Sequence, residues 1–288
     1  MTQKKMDKTI FIIGPTATGK TKLGVELAKK FNGEIISADS RQVYKYMDIG
    51  TGKDLLEYKD IKYWGIDLCD PDYDFNVSEF RKYAIKAIKD ISGRGKVPII
   101  VGGTGFYVRA ILKPWETMDI RPDENLRERL ESLSITKLQE ELKEKDIKKW
   151  ERMNESDRLN TRRLVRAIET VGKIASSQAP RNDTKNLIIG LTASYDLLYE
   201  RIDKRVDQRI KNGMAEEKEK LKRFKKIPKT LGYGNESAKE WKFGEHAYAR
   251  RQQSYFRNFG RSFNINWFDI YEENLLNKVV EMVGKYLA

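Results

Sequence analysis

Ile10-Phe11-Ile12-Ile13-Gly14-Pro15-Thr16-Ala17-Thr18-Gly19-Lys20-Thr21 is the stretch on which the fold turns. Four consecutive apolar residues closed by Gly-Pro predict a short parallel strand buried on both faces. From Lys20 to Phe31, Leu23, Leu27, Ala28 and Phe31 recur at helical spacing. Between strand and helix, Gly14 to Thr21 fits the eight-residue phosphate-loop pattern at all its fixed positions, in the context the pattern requires. Such a loop turns its backbone N–H groups inward at an anion, and Gly19 gives the backbone the freedom to do so. The helix N-terminus adds its positive end. Lys20 is expected to reach the outer phosphate, the Thr21 hydroxyl to hold Mg²⁺, and Thr16 to set another hydroxyl over the phosphates. Gly14, Pro15, Thr16, Ala17, Thr18, Gly19, Lys20 and Thr21 together form the candidate diphosphate-binding site. The motif certifies a polyphosphate or pyrophosphate ligand without saying which.

Outward from this loop, Glu34 to Ala38 predicts a second strand and Phe75 to Ile91 an amphipathic helix. Val97 to Val101 predicts a third strand, ended by Gly102-Gly103. Alternating strands and helices predict an α/β fold, a parallel sheet with helices on both faces. The pattern changes after Pro114. From Pro122 to about Ser177 only helical spacing is seen, through Leu126, Leu130, Leu133, Leu138, Leu142, Leu164, Val165, Ile168 and Val171. Leu187 to Leu191 restores a buried strand, followed by one long helix from Leu197 to about Phe224 and another from Glu245 to Phe259. The expected organisation is a P-loop core begun by residues 1–117, an inserted all-helical domain at 118–185, and a core completed by 186–288.

Composition narrows the chemistry. The 288 residues carry 56 Lys plus Arg against 43 Asp plus Glu, a net charge of +13. That balance favours nucleic acid, phosphate-rich ligands or an anionic surface as partner. The single cysteine, Cys69, excludes an internal disulfide and a cysteine-rich zinc site. The single histidine, His246, excludes a histidine-cluster metal site and argues against a Ser-His-Asp or Cys-His mechanism. No stretch approaches the 18 apolar residues that a membrane span needs. Met1 to Lys8 is polar and the next apolar run has only four residues, unlike a signal peptide. The expected location is cytoplasmic.

Asp39 and Ser40 close the second strand, where a parallel sheet faces its ligand crevice. A carboxylate there either holds Mg²⁺ through water, takes a proton from an acceptor nucleophile, or caps the following segment. The third strand ends in Gly102-Gly103-Thr104 without the acid usual in ATP-hydrolysing machines. Basic residues fall in three groups. Arg162, Arg163 and Arg166 lie within five positions; Arg201, Arg205 and Arg209 form an i, i+4, i+8 stripe, readable as a ligand face or as a solvated one. Arg250, Arg251, Gln252, Gln253, Tyr255, Phe256 and Arg257 mix basic, amide and aromatic groups, suited to phosphates and unpaired bases or, for the aromatics, to a core. Lys218 to Lys229 reads as a solvated charge run.

Taken together, these residues resemble the tRNA dimethylallyltransferases (isopentenyl-diphosphate:tRNA isopentenyltransferases). The resemblance rests on Gly14 to Thr21, then Asp39-Ser40-Arg41-Gln42-Val43-Tyr44 and Asp48-Ile49-Gly50-Thr51. It continues at Gly102-Gly103-Thr104-Gly105-Phe106-Tyr107, Asn160 to Glu169, Tyr199 to Val206, Leu231-Gly232-Tyr233 and Tyr248 to Arg257. The order is conserved from about residue 9 to 260. Three places depart from the family pattern: Glu155 to Asn160 stands where Arg-Ile-His-Pro-Asn-Asp is frequent, Gly172-Lys173-Ile174-Ala175-Ser176 lacks the usual proline, and Thr230 precedes Leu231-Gly232-Tyr233 where the family often has Ala or another residue.

The resemblance implies transfer of a dimethylallyl group from dimethylallyl diphosphate to N6 of adenosine 37 in tRNA, with Mg²⁺ as cofactor. It implies Asp39 as the group accepting or anchoring the N6 proton. Thr16 and Arg205 would act on the diphosphate, with Arg201 in reserve. Asp39, Ser40, Arg41, Gln42, Thr104 and Tyr107 would shape the region around the extruded base. Arg162, Arg163, Arg166, Gly232, Tyr233, Arg250, Arg251 and Gln252 would contact the tRNA, the core and insertion clasping the anticodon stem-loop. A monomer without an obligate protein partner is expected. The residues alone leave open an ATP-dependent small-molecule or nucleoside kinase, against which stands the lack of an arginine-bearing lid just past the third strand.

Overall fold

The structure, a computed structural model, describes residues 8–115, 117–173, 186–234 and 237–288. The chain divides into two compact units, Met1–Lys113 with Asn182–Ala288, and Pro114–Arg181. The missing-proline stretch at 174–176 and the end of the 118–185 segment lie outside the described residues.

The first unit begins with strand β1 (Thr9–Ile13), helix α1 (Lys20–Lys30) and strand β2 (Gly33–Ser37). A 3₁₀ turn (Leu55–Tyr58) leads to the two-residue strand β3 (Tyr63–Trp64), helix α2 (Val77–Gly93), strand β4 (Val97–Gly102) and helix α3 (Gly105–Leu112). The sheet order is β3-β2-β4-β1, then two later strands, β5 (Asn186–Thr192) and β6 (Asn266–Asp269), and every pairing is parallel. All five residues of β1 are buried, because the strand is central and helices cover both faces. Ile10 and Ile12 face a core shared with Leu23, Leu27 and Val279. Phe11 and Ile13 face the other core, with Phe80, Ile100 and Ile202. Leaving Ala in place of Phe11 would cost about 3–5 kcal/mol.

In the second unit, α4 (Glu124–Glu131), α5 (Ile135–Lys145), α6 (Ile147–Arg152), α7 (Glu155–Arg158) and α8 (Thr161–Glu169) enclose Leu130, Leu138, Leu142, Leu164 and Ile168. These helices are short, so their ends matter. Asp123, Ser134, Asp146, Asn154 and Asn160 each accept a backbone N–H at the helix start.

After β5 the first unit resumes with α9 (Tyr195–Lys211), α10 (Met214–Leu221), α11 (Ala238–Phe259) and α12 (Leu275–Leu287). The single long helix expected from Leu197 to Phe224 is two helices. Gly213 breaks it with φ +99°, a conformation that glycine adopts without strain. Helix α11 starts seven residues earlier than Glu245, at a capping box of Ser237 and Glu240. Strands β3 and β6 and helix α12 were not anticipated from sequence.

Candidate active site

The loop after β1 is held from both sides. A Cβ at Gly14 (φ +146°) would collide with the carbonyl of Leu191 on β5, so glycine alone permits this approach. Thr18 Oγ1 donates to the Pro15 carbonyl at 2.9 Å, and Lys20 Nζ donates to it at 2.6 Å. Gly19 sits at the N-cap of α1 with φ +79° and no side-chain cap. The first N–H groups of α1 are thereby left for an anion. Burial, and next the nearby Arg205 guanidinium, lower the Lys20 ammonium from 10.5 to about 7. A cation made this costly to charge is one that an anionic ligand would restore.

This loop forms one wall of a cavity of about 320 Å³. Thr16, Ala17, Gly19, Lys20 and Thr21 line it, with Asp39, Arg41 and Gln42 from the segment after β2. Arg201, Arg205 and Arg209 of α9 line it as well, so the stripe faces the cavity. Gly52, Asp54, Gly103 and Gln252 are also on the lining. Arg205 bonds the Asp54 carboxylate at 2.6 Å and lies 3.4 Å from the Thr16 hydroxyl. Arg201 donates to the Ala17 carbonyl at 3.3 Å. Arg209 is buried, and burial, with Arg205 close by, lowers it to about 10.

Asp39 lies just past β2. Its Oδ1 accepts the Arg41 N–H at 2.9 Å, so the carboxylate orders the turn that follows as well as facing the cavity. Arg41 pairs with the buried Glu245 at 3.0 Å and lies 4.6 Å from the centre of the Tyr248 ring. Burial alone would raise the Glu245 carboxyl, but Arg41 and Arg209 overcome this and hold it below its ordinary value. Ser40 N–H donates to the Thr104 hydroxyl at 3.0 Å, joining the ends of β2 and β4. Gln42 donates to the Gly52 carbonyl at 3.0 Å.

Several other residues singled out by sequence are placed elsewhere. Tyr107 is buried against Phe80, ring centres 3.9 Å apart, outside the cavity lining. Gln252, by contrast, is on the cavity lining, 5% exposed, and accepts the Thr16 N–H of the phosphate loop. Tyr233 is buried with its hydroxyl on Glu217, and Gly232 takes φ +87° against Trp241. Arg250 is exposed and donates to the Tyr199 hydroxyl at 2.6 Å; Arg251 is exposed as well. In the second unit, Arg162 and Arg163 are exposed, Arg163 paired with Asp157. Arg166 is turned to its own unit, on Glu169 and the Thr117 and Ile120 carbonyls. His246 pairs with Asp203 at 2.7 Å and stacks on Tyr199, away from the cavity lining. Asp54, Glu217 and Glu245 were missed by sequence reasoning. Only Glu245 carried a signal, as an acid about one helical turn before Tyr248.

Residues 42–259 match the family described as IPP transferase, and residues 7–59 match that described as isopentenyl transferase. The chain belongs to the tRNA dimethylallyltransferase (IPP transferase) family. The tRNA dimethylallyltransferase of Acetivibrio thermocellus is 38% identical, over 98% of both chains. That of Halalkalibacterium halodurans is 38% identical, over 96% of this chain and 95% of the other. Among solved structures, the tRNA isopentenylpyrophosphate transferase of Bacillus halodurans aligns with a TM-score of 0.71 at 35% identity, covering 98% and 97% of the two chains. A eukaryotic dimethylallyltransferase acting on tRNA aligns with a TM-score of 0.83 at 25% identity, covering 98% of this chain and 79% of that one. The protein is an enzyme of this family, with the α/β P-loop core expected from sequence. Among the described residues no helix is long and apolar enough to cross a membrane.

Proposed function

We propose that this dimethylallyltransferase transfers a dimethylallyl group from dimethylallyl diphosphate to N6 of adenosine 37 in the anticodon loop of tRNA. The observation that carries this reading is one cavity holding the phosphate loop, Lys20 and Arg205 together with the Asp39 carboxylate. The reaction breaks the bond between prenyl C1 and the diphosphate oxygen. It forms the C1–N6 bond, and one N6 proton must leave. The loop N–H groups, Lys20 and Arg205 stabilise charge on the departing diphosphate, with Thr16 beside them. Asp39 accepts or anchors the N6 proton. An unpaired loop base costs less to extrude than a paired one, which suits an anticodon-loop acceptor.

The donors present fit Mg²⁺. Thr21 offers a hydroxyl on the cavity wall and Asp39 a carboxylate, both hard oxygen ligands. With Asp39 assigned to the N6 proton, the ion would rest on Thr21, the diphosphate and water. Bound there, it would neutralise diphosphate charge. Arg162, Arg163, Arg250 and Arg251, exposed and basic, would meet backbone phosphates of the anticodon stem.

Radiolabelled dimethylallyl diphosphate and unmodified tRNA, with Mg²⁺ and no ATP, test the reading. Label recovered as N6-dimethylallyladenosine at the position next to the anticodon is the expected result. Folded protein that transfers label to neither tRNA nor free adenine nucleotides would overturn it.

A further inference from the structure

Two stretches stand outside the chemistry above: Asp48-Ile49-Gly50-Thr51 and Leu231-Gly232-Tyr233. One side chain joins them. Glu217 on α10 is 8% exposed. Its Oε2 accepts the N–H groups of Asp48 at 2.9 Å and Ile49 at 2.8 Å. Its Oε1 accepts the Gly50 N–H at 3.0 Å and the Tyr233 hydroxyl at 2.5 Å. Three successive N–H groups converging on one anion form a nest, a device that in other settings holds phosphate. Here a carboxylate of the protein fills it. The Tyr233 ring occupies the place a Gly50 Cβ would need, so the tyrosine and the loop are fitted to each other.

What this loop then presents is the floor beneath two arginines. The Gly50 carbonyl accepts from Arg209 Nη1 at 3.3 Å. A side chain at Gly52 would collide with the Arg209 guanidinium and come within 3.1 Å of Arg205 Nη2. Asp54, two residues on, pairs with Arg205. The buried carboxylate thus fixes the loop, and the loop fixes the guanidinium groups facing the phosphate site.

We propose that Glu217, together with Tyr233, is a positioning pair that sets Arg205 and Arg209 against the diphosphate. Neither residue touches substrate, and Tyr233 acts through Glu217 rather than on RNA. The inference rests on the reading of the cavity as a diphosphate site. Glu217→Gln tests it with little change of shape. A glutamine offers one acceptor oxygen where the carboxylate has two, so at least one loop N–H loses its partner.

Inorganic diphosphate with Mg²⁺, titrated calorimetrically in the absence of RNA, reads the arginine geometry directly. We expect about tenfold weaker binding for Glu217→Gln and about threefold for Tyr233→Phe, the scale of one lost hydrogen bond each. The KM for dimethylallyl diphosphate should rise in parallel, with affinity for unmodified tRNA unchanged. Diphosphate affinity within twofold of the parent in folded Glu217→Gln, at whatever melting temperature, would overturn the proposal. If that variant does not fold, Tyr233→Phe decides. Parental diphosphate affinity in it, with or without weakened tRNA binding, overturns the proposal. Failure of the parent to transfer label would strike the proposed function instead, and leaves this titration intact.

Discussion

The side-chain amide of Gln252 bridges the phosphate loop and the end of β4: Oε1 accepts the Thr16 N–H at 2.8 Å, and Nε2 donates to the Gly103 carbonyl at 3.0 Å. Gly103 has no room for a Cβ because the amide sits there. The bond fixes the loop from α11, the helix whose outer face carries Arg250 and Arg251. Gln252→Ala should therefore weaken binding of inorganic diphosphate about tenfold, the cost of leaving two backbone groups, one half-buried and one buried, without this partner at the loop. Affinity for tRNA should change less than twofold. Loss of tRNA affinity with parental diphosphate binding would instead make Gln252 an RNA contact.

Asp39 has two duties, and they separate by substitution. Asp39→Asn keeps an oxygen that can accept the Arg41 N–H, so the turn after β2 should persist. It removes the group that accepts or anchors the N6 proton. A fall in kcat of about 10²- to 10⁴-fold is expected, with tRNA affinity held within about twofold. Single-turnover label transfer and filter binding measure the two quantities. A kcat near that of the parent would take Asp39 out of the chemistry.

Arg163 and Arg166 lie three residues apart on α8, and the structure gives them different partners. The Arg163 side chain is exposed and paired with Asp157 in an ion pair open to water, which is worth little. Arg163→Ala should weaken tRNA binding and lower the slope of log K against log salt by about one, as for one lost phosphate contact. Arg166 shares the fully buried Glu169 carboxylate with Arg127. Its removal should destabilise the second unit by about 1–3 kcal/mol. Urea melts and salt titrations of both variants check the contrast. Equal effects of the two on salt slope would contradict it.

How much of this was legible in the sequence depends on how local each signal was. Residues 9–30 announced strand, loop and helix because pattern and geometry coincide within one short stretch. Strand β6 gave no such signal. It is an edge strand of four residues with Phe268 alone buried, so it lacks the continuous apolar run of β1 or β4. The break at Gly213 was written in Asn212-Gly213, but the apolar spacing on either side masked it. At the site, the interval of Arg201, Arg205 and Arg209 was readable and its direction was not, because an i, i+4 stripe looks the same toward solvent and toward a ligand. Glu217 borders a charge run, where a buried carboxylate has no local signature. Its three loop N–H partners lie 167 to 169 residues away.

Glu34, at the start of β2, predicts how the core responds to acid. Its carboxylate is 1% exposed and accepts from Arg94 at 2.6 and 2.7 Å, from Lys96 at 2.9 Å and from the Trp64 indole at 2.9 Å. The Arg94 hydrogen bonds, against the upward push of burial and with help from Lys96 and Trp64, lower the carboxyl from 4.5 to about 2. Because the folded value lies below the unfolded one, the stabilisation is complete above about pH 4.5. It is lost as pH falls toward 2, since the unfolded chain binds the proton first. Arg94 and Lys96 are partly open to solvent, which screens the pair, and the net contribution at neutral pH is about 2 kcal/mol. Glu34→Gln should cost that much at pH 7 and progressively less below pH 4.5. Urea midpoints of the two proteins measured from pH 7 down to pH 3 should converge as the carboxylate protonates. Parallel curves across that range would assign the acid sensitivity of the fold to other carboxylates.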